Sequence, residues 1–158
     1  MIFHSQYSNL ITLSNFYQHD NVKAGLDELT NTMNGGLLSF TKEMKSQGVW
    51  DDITIVMVSE FARTLPGNTG AGSDHAWAGN YFIAGGDVKG KRILGNFPNV
   101  LSDDGPLIFE PGIVIPQVPW EALWNGIAQW FGITNSDVSS MYQCIYCSSP
   151  VSLLIFKR

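Results

Sequence analysis

The run Ile53-Thr54-Ile55-Val56-Met57-Val58 constrains the fold most. It is dominated by β-branched and apolar residues and shows no polar alternation, which predicts a strand buried on both faces. Strands covered on both sides belong to parallel sheets flanked by helices. The preceding segment, Asp20 to Gln47, supplies such a cover: Val22, Leu26, Leu29, Met33, Leu37, Phe40 and Met44 recur at steps of three or four and line one helical face. That face is expected to be core. Asp20 or Asn21 is placed to cap the helix, and Gly48 to end it in a left-handed conformation. Asn34-Gly35-Gly36 is expected to kink the helix or divide it, since each glycine weakens a helix by roughly 1 kcal/mol. The class expected is α/β.

Length and composition agree with a packed chain: 158 residues, 44% hydrophobic and 15% charged, suffice for one domain with a core. A net charge of -5 and nine scattered Lys and Arg residues leave no basic stripe, which excludes nucleic acid as an expected partner. No apolar run reaches the roughly 18 to 20 residues that span a bilayer, and the opening Met1 to Ser5 has no signal-like core. Localisation is left unassigned. Cys144 and Cys147 read as two ordinary thiols, because a zinc knuckle needs two further ligands nearby and a redox pair normally opens a helix in a βαβ unit.

Beyond the strand, Ser59-Glu60 begins where ligands bind in open α/β sheets, past the carboxyl end of a strand. Leu65 to Gly95 then holds eight of the 16 glycines, marking backbone that turns tightly or approaches something closely. Asn80 to Ala84 reads as another short strand. From Asn96 to Val118, prolines at 98, 106, 111 and 116 forbid long helices, and only Gly112 to Ile115 suits a strand. Pro119 opens a helix with Trp120, Leu123, Trp124, Ile127, Trp130 and Phe131 on one face, and Gly132 stops it. The tryptophan spacing favours packing on the sheet over a sugar platform. The tail, residues 134–158, has no clean period and no assignment.

Glu60 and Arg63 at the strand end, with Asp74 and His75 in the glycine-rich loop, form the best chemical constellation. Such ligands suit zinc, manganese or a similar divalent ion, and an arginine can grip an oxyanion with two parallel hydrogen bonds. The plain alternative is solvated or salt-bridged loop residues. His19 is either a third ligand or an exposed neighbour of the helix cap. Asp51 and Asp52, and Asp103 and Asp104, read as turn residues.

Ser59-Glu60-Phe61-Ala62-Arg63-Thr64, Asn68, Gly72-Ser73-Asp74-His75-Ala76-Trp77, Gly85-Gly86-Asp87-Val88-Lys89-Gly90 and Gly95-Asn96-Phe97-Pro98 follow in order. Together they resemble the domain-of-unknown-function 1501 family of sulfatase-like, alkaline-phosphatase-like proteins. The resemblance covers residues 1–133 as the C-terminal part of such a domain and leaves a divergent tail. It implies a partial α/β/α sandwich with a small, mostly parallel sheet flanked by helices. It also implies a divalent metal ion held by Asp74, His75 and His19, with Glu60 and Arg63 as catalytic residues acting on an anionic ester. His19 matches the histidine of a family Asp-Thr-His motif that reads Tyr17-Gln18-His19 here.

The superfamily's nucleophilic Ser or Thr lies upstream of the matching region. The resemblance therefore implies a fragment of a phosphate- or sulfate-ester hydrolase that is inactive alone. The partners this leaves open are a second copy of the chain or a missing N-terminal half. The rival reading is a noncatalytic binding or structural module that associates through its glycine-rich loop or an exposed sheet edge.

Overall fold

A computed structural model describes residues 8–12 and 19–134. The tail, Cys144, Cys147, Tyr17 and Gln18 lie outside the described residues. A 25-residue helix, α1 (Val22–Ser46), comes first and is followed by a short 3-10 turn, Trp50–Asp52. Six short strands follow: β1 (Thr54–Met57), β2 (Ala62–Arg63), β3 (His75–Ala76), β4 (Phe82–Gly85), β5 (Ile108–Phe109) and β6 (Ile113–Val114). Helix α2 (Trp120–Trp130) closes the series. No helix among the described residues is long and apolar enough to cross a membrane.

The chain mixes helices and strands as expected, but the strands pair differently from the expected parallel sheet. They form three separate two-stranded ladders, β1 with β4, β2 with β3 and β5 with β6, all antiparallel. An unbroken apolar run reports that a strand is covered, not the direction of its neighbour. Parallel neighbours need a crossover, usually a helix, and the segment between Met57 and Phe82 contains only β2, β3 and the glycine loop. The β5 strand was not anticipated. It sits between Pro106 and Pro111, where composition suggested loop, and reverses into β6 through Gly112, which has φ +69°.

The three predicted strands, seen as β1, β4 and β6, and the second helix lie close to where the residue patterns put them. In the β1–β4 ladder Val56 stands opposite Ile83 and Met57 opposite Phe82. Ile127 of α2 is buried against this pair, with Val56, Ile83, Val88, Leu123, Trp124, Trp130 and Phe131 around it. The α2 tryptophans at 124 and 130 therefore pack, whereas Trp120 stays exposed and meets Tyr81 and Trp124 edge to face. Gly132, with φ +89°, ends α2 by donating its amide to Gln129 O.

Three expectations about α1 are corrected. First, none of its residues is buried; Val22, Leu26, Leu29, Met33, Leu37 and Met44 are half-buried and Phe40 is exposed. Amphipathic spacing fixes which face a helix offers, while coverage depends on a second layer, and among the described residues the cluster on the β1–β4 pair is built with α2. Second, the helix runs unbroken through Gly35 and Gly36. Propagation is cooperative over so long a helix, and the Ser39 hydroxyl also donates to Gly35 O at 2.9 Å. Third, no side chain caps the start. Asn21 occupies the cap position at φ 46° and ψ 47°, and its amide donates to Gly70 O while that of Val22 donates to Ala71 O. The glycine loop itself is the cap.

A Cβ added at Gly35 or Gly36 meets nothing within 4 Å. Gly35→Ala and Gly36→Ala are therefore expected to stabilise the chain by about 1 kcal/mol each, read as a raised thermal midpoint. An unchanged or lowered midpoint would show that another surface packs on this part of α1.

Candidate functional site

The site is built around the long connection between β2 and β3. Ala62 pairs with Ala76 and Arg63 with His75, and beyond them Thr64 N donates to Asp74 O at 3.0 Å. The Thr64 hydroxyl accepts from Asp74 N at 3.1 Å and donates to Pro66 O at 3.1 Å. Asp74 is thus gripped through its backbone on both sides, leaving its carboxylate exposed.

Residues 65–73 fold back over the start of α1. Asp20 forms an isolated bridge with Ala71 beside the Asn21 and Val22 amide bonds. The close approach depends on two glycines. A Cβ at Gly72 would run into the His19 carbonyl and the Asp20 amide, and one at Gly70 into the Asp20 carboxylate. Asn68 ties the layers together. Its Oδ1 accepts from the amides of Gly70 and Gly72, both at 3.0 Å, while its Nδ2 donates to His19 O at 3.0 Å and Asp74 Oδ1 at 3.1 Å.

This arrangement brings together three residues singled out in the sequence. His19 Nε2 lies 3.1 Å from His75 Nε2, and His19 Nδ1 lies 3.5 Å from Asp74 Oδ1. The histidine rings are 4.9 Å apart, and on its far side His75 stacks on Phe61 at 3.8 Å, nearly parallel at 17°. The Arg63 guanidinium stands 5.4 Å from the Phe61 ring. The set is therefore a short column of arginine, phenylalanine and two imidazoles, with a carboxylate at its open end. The His19–Asp74 pair is solvent-exposed, so its attraction adds little to stability.

Arg63 also serves the loop: Nη1 donates to Ser73 O at 2.7 Å, immediately before Asp74. Its Nη2 is sealed from solvent and has no acceptor among the described residues. An unpaired buried donor of this kind costs roughly 1–3 kcal/mol. Glu60 stands apart from the column. It is exposed between β1 and β2 and makes no hydrogen bond or ion pair among the described residues. Tyr81 reaches this strand end through its hydroxyl, which donates to Ser59 O at 3.4 Å.

The donor chemistry suits a divalent cation only in part. Two imidazole nitrogens that each lie ~2.0–2.1 Å from a tetrahedral ion stand about 3.3 Å apart. The Nε2 pair, at 3.1 Å, is close to that spacing. The Asp74 oxygen meets the other nitrogen of His19, as a carboxylate does when it orients a liganding histidine. The donors accordingly do not face one common point, and no group of three or more His, Cys, Asp or Glu among the described residues is arranged to hold a metal ion.

Sequence reasoning found His19, Asp74 and His75 but gave no role to Thr64 or Asn68. For Asn68 a signal was present: Asn-Thr-Gly is the spacing at which an asparagine side chain accepts the amide two residues on.

No curated protein and no solved structure matches the chain significantly. The family described as "Protein of unknown function (DUF1501)" matches residues 8–105, well over half of the chain, from before α1 through the glycine loop and β4. Helix α2 lies beyond that span yet shares its core with β1 and β4. The ordered motif and the matched span together place this chain in the DUF1501 family.

Proposed function

We propose that the chain is part of a metal-dependent phosphate- or sulfate-ester hydrolase-like domain, keeping about half of a cation site and turning over no ester alone. The observation that supports this reading best is the meeting of His19 with Asp74 and His75 across 56 positions of sequence. Solvated loop residues have no need of such convergence. His19 and His75 would hold a divalent cation such as zinc or manganese, with the Asp74 carboxylate beside them. A cation there supplies Lewis acidity toward an ester oxygen or a bound water.

The chain's own residues have separate tasks. Asp74 orients the His19 ring, and Phe61 fixes the plane of His75 by stacking. Arg63 keeps one nitrogen on Ser73 O beside Asp74, and its role toward an oxyanion would need the sealed Nη2 to be uncovered. Glu60, exposed at the same strand end, would serve in proton transfer. In this reading the chain is the C-terminal portion of an alkaline-phosphatase-like parent. The upstream portion brings the parallel neighbours of β1 and the Ser or Thr nucleophile.

A second reading, a noncatalytic module, is favoured by the half-exposed apolar face of α1 and by β1 having β4 as its one partner among the described residues. One experiment separates the two. Purified chain titrated with zinc or manganese is expected to bind cation, and His75→Ala or Asp74→Ala to lose most of that affinity, while phosphatase and arylsulfatase assays stay negative. A wild-type chain that takes up no cation and elutes as an oligomer in light scattering would favour the module. Ester turnover lost on Asp74→Ala would overturn the inactive fragment.

A further inference from the structure

We propose that Asn68 is the positioning residue of this site, a side-chain clamp that holds the His19 segment and the Asp74 carboxylate at one place. The inference rests on the cation-site reading above and assigns a role to a residue outside the expected ligand set.

Asn68 uses its whole hydrogen-bonding capacity on one task. A primary amide has two N–H donors and a carbonyl with two lone pairs. Here the carbonyl takes the amides of Gly70 and Gly72, and the NH2 group reaches His19 O and Asp74 Oδ1. The orientation is fixed by chemistry. Turned over, the carbonyl would face two acceptors and the NH2 group two donors, so all four contacts would become repulsive.

The four partners also belong to different parts of the site. Two bonds shape the loop that passes across the start of α1, and two cross from that loop to the elements carrying His19 and Asp74. The contact with Asp74 has a further effect. Asp74 Oδ1 lies 3.1 Å from Asn68 Nδ2 and 3.5 Å from His19 Nδ1, so the same oxygen is held by the amide and turned toward the imidazole. Asn68 thereby acts through Asp74 on the orientation of His19, and through the His19 carbonyl on the position of that residue's backbone. Groups that orient ligands in this indirect way typically change metal affinity by about 10- to 100-fold when removed.

Asn68→Ala removes all four bonds, so a control is needed for general loss of stability. Ile127→Val supplies it: the variant trims the core where α2 meets β1 and β4 and touches none of the residues of the site. Zinc affinity by chelator competition, thermal midpoint, and the imidazole nitrogen signals of His19 and His75 in metal-free protein are measured for the three chains.

Asn68→Ala is expected to weaken zinc about tenfold or more and to erase the paired pattern of one protonated and one unprotonated Nε2. Ile127→Val is expected to lower the midpoint while it retains the pattern and most of the affinity. The inference is overturned if Asn68→Ala keeps the paired imidazole signals, or if its zinc affinity stays within about threefold of wild type, well short of the change expected for an orienting group. It is equally overturned if the two variants lose affinity in step with their midpoints. A wild-type chain that binds no zinc would remove the cation-site reading alone; the imidazole signals would still decide the role of Asn68.

Discussion

Gly72→Ala is expected to disable the site more completely than removal of any single liganding side chain. The added methyl would meet backbone, the His19 carbonyl and the Asp20 amide, rather than the yielding end of a side chain. Either the loop or the start of α1 must move, at a cost on the order of 1–3 kcal/mol for forced overpacking. Both carry parts of the site: Gly72 N donates to Asn68, and Asn21 N and Val22 N draw on the adjacent Gly70 and Ala71 carbonyls. Amide exchange should therefore quicken at Asn21 and Val22 while the β1–β4 ladder keeps its protection. Zinc affinity should fall together with that protection. Unchanged exchange at Asn21 and Val22 would mean that the approach of the two segments does not depend on the missing Cβ.

The other large effect lies in the core. Ile127→Ala should destabilise the chain by about 2–5 kcal/mol, the usual range for truncating a buried branched side chain. Ile127 is the centre on which α2 meets β1 and β4, and among the described residues α1 forms no comparable buried cluster. Urea unfolding followed by tryptophan fluorescence measures the loss directly, since Trp124 and Trp130 line the same cluster. A change below about 1 kcal/mol would show that α2 contributes little to stability, against its burial. Because α2 lies outside the span matched by the family, the expected loss also implies that residues past 105 are needed to hold the matched part together.

The elements legible in the sequence were those whose signals are local. The Ile53 to Val58 run gave a strand, the proline and glycine around α2 gave its ends, and Gly48, with φ +72°, ended α1 as its placement suggested. Direction of pairing was not legible, because it depends on which segment returns beside β1, and nothing within Ile53 to Val58 encodes β4 as an antiparallel partner. Burial of α1 failed for the same reason: a stripe of Leu and Met describes an offer, and whether another layer takes it up is not written in the helix.

For the site, residue type proposed Asp74 and His75, the resemblance added His19, and the fold brings the three together. Arg63 stands beside them through Phe61, while Glu60 remains outside the column. What the sequence concealed was the support. The Thr64 hydroxyl, the Asn68 amide and the close pass at Gly72 matter through positions taken by distant backbone. Such roles follow from geometry and have no periodic signature.

The spans of these contacts also set an order of assembly. Arg63 to Ser73 and Thr64 to Asp74 are ten residues apart, so the β2–β3 side of the site can form as soon as that hairpin closes. The contacts that bring in His19 span 49 residues from Asn68 and 56 from His75. Contacts between distant positions carry a larger loop-closure cost and come later in folding. One half of the site is thus a local product of a hairpin, and the other arrives only when the start of the first helix docks. The histidine pair consequently forms after the hairpin, and its appearance after refolding should lag the protection of Thr64 and Asp74.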